Sequence, residues 1–188
     1  MTAPGVRPLR LPEPKDLWSA YAVIVGLVYS WSVVISLYML PSWRFYLYPG
    51  EIVSIYAYTF CVDFLESLLF LALILGLEFT IFRFLPGPSD FVPRSAITVI
   101  LVLGAAALRL LLYKPSGDLG DFQTGELSYW ALTVIAGGLL ILAVRRVPPV
   151  SAGLGRIADR ATVFLLLYLP LTLGAVLLLI ARRFWPAW

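Results

Sequence analysis

The stretch IVSIYAYTFCVDFLESLLFLALILGLEFTIF (52–82) decides the fold. It is apolar for far longer than the ~20 residues a helix needs to cross a hydrocarbon core, yet it carries Asp63 and Glu66 three positions apart near its middle. Four more apolar runs share the chain, at about 17–40, 95–113, 127–144 and 161–181, joined by short connections that leave no room for a soluble domain. The spacing predicts an all-α integral membrane protein of five transmembrane helices, forming one helix bundle over 17–182. Residues 1–16 read as a Pro-rich cytoplasmic tail and 183–188 as an interfacial aromatic end. The first run is too long for a signal-peptide core and lacks a small-residue cleavage site, so it reads as an uncleaved span.

Composition agrees. Of the 188 residues, 61% are hydrophobic and 13% charged, and the mean hydropathy is +0.90. A water-soluble surface needs more polar residues than that. The net charge of +3 is small and its basic residues flank apolar runs, a topology signal that differs from the concentrated basic face nucleic acid requires. With an N-terminus in the cytoplasm, nine Lys and Arg fall on the inner side (Arg7, Arg10, Lys15, Arg83, Arg94, Arg145, Arg146, Arg156, Arg160). Four fall outside (Arg44, Lys114, Arg182, Arg183). The positive-inside rule then predicts N-in, C-out in the cell membrane, with the Arg182–Arg183 pair pulling the other way.

The chain has no histidine and one cysteine, Cys61. Sites that need imidazole, a disulfide or several thiolates are excluded, along with Ser-His and Cys-His catalysis. No cofactor is expected, and any metal would be a hard cation on oxygen ligands.

Asp63 and Glu66 carry the candidate chemistry. With Tyr56, Thr59 and Ser67 they fall near one helical stripe, which would turn toward other helices or a cavity. A carboxylate at that depth costs on the order of 2.5–3.5 kcal/mol, so the helix needs a partner. Arg109 in GAAALRLLLY (104–113) is the candidate: in an antiparallel hairpin of spans two and three it comes level with Glu66 and Asp63. The small residues 104–107 would allow close approach. The expected cluster Asp63/Glu66/Arg109 is an intramembrane salt bridge that clasps spans two and three. If one arginine leaves a carboxyl over, the same cluster is a proton- or cation-linked transport site.

Other signals are weaker. Trp18 and Tyr21 open span one, and Trp43, Arg44, Phe45, Tyr46 and Tyr48 crowd the first outer loop, PSWRFYLYPGE (41–51), where they suit interfacial anchoring or, through Arg44, a lipid headgroup. The outer loop 114–126 holds Asp118, Asp121 and Glu126 without the spacing of a calcium loop. The inner loop RRVPPVSAGLGR (145–156) is basic and suits anionic headgroups or topology. Glu78 has Arg83 and Arg94 as natural partners. Pro170 should kink span five, and Gly26, Ser30, Gly137 and Gly138 mark close helix contacts.

The leading expectation is a chain without catalytic activity of its own, an accessory or scaffold subunit. Its partners would be the lipid bilayer and other membrane subunits or further copies of itself, with no nucleic acid. The rivals are a small transporter or channel unit built on the ion cluster, and lipid-headgroup handling at the outer interface.

Overall fold

A computed structural model describes residues 12–80, 91–112, 119–146 and 148–184, the backbone alone at 119–124, 143–146 and 148. It is all-helical: α1 (Pro14–Tyr46), α2 (Pro49–Thr80), α3 (Phe91–Leu112), α4 (Leu119–Arg146) and α5 (Pro148–Phe184). All five are long and apolar enough to cross a membrane, the pattern of a multi-pass membrane protein.

The helices are longer than the apolar runs. The first run stops at Leu40, before Pro41, yet α1 continues through Pro41 to Tyr46. An interior proline removes one backbone hydrogen bond, and its neighbours still close theirs. The segment expected as an outer loop, 41–51, is therefore helical apart from Leu47 and Tyr48. At that corner Leu47 N–H donates to Trp43 O at 2.8 Å and Tyr48 N–H donates to Glu51 Oε2 at 2.8 Å. The second bond is the return half of a capping box, and Pro49 fills the first helical position with a φ that suits it. Likewise, the basic segment expected as a loop is helix from Pro148 onward, with Pro148 and Pro149 opening α5. Pro170 sits inside α5 as one continuous helix.

Contacts give the direction of each helix. Along α1 and α2, Tyr21 meets Ser67, Tyr29 meets Phe60, Ser32 meets Asp63 and Trp43 meets Tyr56, so the two run antiparallel. Between α1 and α5, Ser19 meets Asp159 and Tyr29 meets Thr172, so these run parallel. Between α3 and α4, Ala105 accepts from Tyr129 and Arg109 pairs with Glu126, again antiparallel. The hairpin of α2 and α3 is pinned by Arg94 to Glu78 at 3.1 Å, with Arg83 outside the described residues.

Helix α1 is the centre. Every residue from Ser19 to Gly26 is buried, which covers its whole circumference, and α2, α3 and α5 surround it. Small residues make this tight: a Cβ on Gly26 would lie 2.8 Å from Phe164 Cδ2 of α5, so glycine sets the spacing of the two helices. Gly137 plays a milder version of that role between α4 and α3, with Leu101 Cδ1 at 3.4 Å, whereas Gly138 faces open space. Helix α4 lies at the periphery against α3 and α5, and it makes no close approach to α1 or α2 among the described residues.

Tyr21 differs from its reading as an interfacial ring. It is buried, and its hydroxyl meets Ser67 Oγ at 3.1 Å. Since α1 is surrounded from Ser19 to Gly26, a ring there serves the interior.

Candidate functional site

Asp63 and Glu66 straddle the midpoint of the apolar stretch between Glu51 and Glu78. At 1.5 Å per residue, Asp63 lies about 18 Å from Glu51, and Glu66 lies about 18 Å from Glu78. Both carboxyls therefore stand near the middle of that apolar stretch.

The structure splits the polar stripe. Asp63 and Ser67 are 3% and 0% exposed and turn toward α1, Tyr56 and Thr59 are half-buried, and Glu66 is exposed on the outside of the bundle. A step of three residues rotates about 60° from Asp63 on one side and a step of four rotates about 40° on the other, so Glu66 and Ser67 diverge by about 100°. Burial of one side of α2 against α1 decides which of them faces inward.

Ser32 Oγ donates to Asp63 Oδ1 at 2.7 Å, and Asp63 Oδ2 is buried with no hydrogen-bond partner. One helical turn away a second polar knot joins three helices. Tyr29 Oη lies 2.6 Å from Thr172 Oγ1 of α5 and donates to Phe60 O of α2 at 3.2 Å, while Thr172 Oγ1 donates to Tyr168 O at 2.9 Å. The Tyr29 ring stacks on Tyr168 and Phe60, with centroids at 4.7 and 5.8 Å. Buried hydroxyls away from water must find partners in protein, and Tyr29 does so on both neighbours of α1.

The clasp expected of Arg109 does not form. Arg109 stands in the last turn of α3 and pairs with Glu126 of α4, its Nε donating to Glu126 Oε1 at 2.6 Å. Neither Asp63 nor Glu66 makes an ion pair among the described residues. The hairpin register expected from the sequence would set Arg109 opposite the acids. However, α2 packs on α1 and α5, its direct contact with α3 is slight, and the Arg109 side of α3 turns to α4. Register along a hairpin did not make the groups face each other. Glu126 thereby leaves the acidic cluster proposed for the outer loop; Asp118 and the Asp121 side chain lie outside the described residues.

At the far end of α1, Trp43 makes an edge contact with Tyr56 at 6.2 Å, while Arg44, Phe45, Tyr46 and Tyr48 are exposed. Along a helix Trp43, Arg44 and Tyr46 leave in different directions, each residue about 100° from the next. They ring the helix end as interfacial anchors do and do not converge on one point.

Tyr29, Ser32 and Thr172 were not singled out from the sequence. A tyrosine in the middle of an apolar span is itself a signal, because its hydroxyl needs a partner there. Ser32 also lies at helical spacing from Tyr29 and Ser36.

Comparison with protein-family models, with characterised proteins and with solved structures finds no match to this chain. The geometry therefore stands alone: a buried carboxyl with one serine partner, a tyrosine-centred knot, and a second carboxyl turned outward at the same depth.

Proposed function

We propose that this chain is a non-catalytic accessory or scaffold subunit of a complex in the cell membrane, with its N-terminus in the cytoplasm and its C-terminus outside. Glu66 carries the reading. It is exposed on the outer face of α2 at mid-depth and has no hydrogen bond or ion pair among the described residues. A carboxyl in that position faces hydrocarbon unless another chain covers it, and polar groups inside membranes face protein or water. Among the described residues, the polar contacts that join the helices are made elsewhere, so the fold does not call on Glu66. Purification from native membranes in a mild detergent tests the proposal. Defined additional chains should accompany the wild type and be lost from Glu66→Leu, and the wild type purifying alone contradicts it.

A second reading rests on Asp63, the buried carboxyl with one oxygen unpartnered. It makes the chain a small proton- or cation-linked transport unit, with Asp63 as the group that exchanges the ion. Reconstituted protein should then carry flux across proton, sodium or potassium gradients, and Asp63→Asn should abolish that flux. Wild-type liposomes that stay silent under all three gradients remove this reading.

A further inference from the structure

Resting on the accessory-subunit reading, we infer what occupies the outer face of α2: a single transmembrane helix of a different chain, carrying one lysine or arginine at mid-membrane depth. Val62, Glu66, Leu69 and Leu73 recur at offsets of four, three and four, so they form one ridge within an arc of about 60°. All four are exposed, the three apolar ones at 50%, 69% and 52%. This is the pattern one helix offers to a single partner helix, with a carboxyl at its centre instead of another leucine.

Charge selects the partner. An acid flanked on both sides by apolar ridge residues is answered by a cation on the facing helix at the same level, which forms a charge-assisted hydrogen bond in a medium without competing water. A second copy of this chain does not supply one. Among the described residues its lysines and arginines (Lys15, Arg44, Arg94, Arg109, Arg156, Arg160, Arg182 and Arg183) stand toward the ends of their helices. Two copies paired through α2 would set Glu66 against Glu66, like against like. Arg94 and Arg109 are moreover engaged with Glu78 and Glu126.

The test uses the full chain in phosphatidylcholine liposomes, labelled with a donor dye at Glu13→Cys in a Cys61→Ser background. Acceptor-labelled polyleucine transmembrane peptides serve as probes: one with a central lysine, one with none, and one with the lysine near an end. The central-lysine peptide should associate roughly tenfold more tightly than the other two, the scale of one hydrogen-bonded polar pair between membrane helices. Glu66→Leu should erase that preference, and Leu69→Trp, which keeps the acid but fills the ridge, should weaken it. Equal association of the three peptides, or a preference that survives Glu66→Leu, overturns the inference. So does transfer between donor- and acceptor-labelled copies of this chain that depends on Glu66, because the occupant is then a second copy. If the peptides fail while native purification still brings down a partner, this inference falls and the accessory-subunit reading stands. If purification returns the chain alone, the reading itself falls.

Discussion

Ser32 on α1 and Asp63 on α2 share one hydrogen bond of 2.7 Å near the middle of α2, and among the described residues that bond is the only one the buried carboxyl makes. Ser32→Ala leaves both oxygens without a partner. The loss should be about 1–3 kcal/mol of stability, the penalty for stranding a buried polar group, read as a lower melting temperature in detergent. Adding Ser32→Ala to Asp63→Leu should cost much less than adding it to the wild type. Equal costs in the two backgrounds would show that the pair is not coupled.

Tyr29 ties α1 to α2 and α5 through its hydroxyl and its ring together. Tyr29→Phe keeps both stacking contacts and should lose about 1 kcal/mol. Tyr29→Ala also empties the centre of the bundle and should lose about 3–5 kcal/mol, as large aromatic truncations do. Thermal unfolding of both variants separates the two contributions. A Tyr29→Phe variant as unstable as Tyr29→Ala would place the whole effect in the hydroxyl.

Gly26→Ala pushes a methyl to 2.8 Å from Phe164 Cδ2. The ring must move or the helices must separate, at a cost of about 1–3 kcal/mol, the usual range for overpacking. Phe164→Leu should recover much of the loss in the double variant. Loss without recovery would point to the backbone of α1 instead of its spacing from α5.

The partner of Arg109 separates the structure from the expectation drawn from sequence. If Arg109 neutralised Glu66, Glu66→Gln would destabilise the isolated chain. Because Arg109 pairs with Glu126, Glu66→Gln should leave the melting temperature of the purified chain unchanged, whereas Glu126→Gln should lower it. The reversed pair Arg109→Glu with Glu126→Arg should be more stable than either single reversal. Melting curves of the set decide the matter in one experiment.

These contrasts mark what a sequence of this kind discloses. Apolar run length identified all five helices, because crossing hydrocarbon demands that length whatever the neighbours are. Helix ends were read too short at Pro41 and at Pro148–Pro149. A helix tolerates a proline inside at modest cost and favours one at its first turn, so proline did not mark the stops. The placement of Asp63 and Glu66 near the middle of α2 was legible too. Facing was not. Which side of α2 turns inward depends on α1 and α5 packing around it, and those contacts join residues far apart in the chain, such as Tyr29 with Thr172. A single chain also does not distinguish an acid that faces a neighbour within its own bundle from one that faces outward.

The most direct measurement is the mass of the particle containing this chain, extracted from native membranes into nanodiscs without a detergent step. The account predicts a particle heavier than the 20.9 kDa chain by the mass of at least one other protein, and it predicts that Glu66→Leu reduces the particle to the chain by itself. A wild-type particle whose protein mass is that of this chain alone would contradict it.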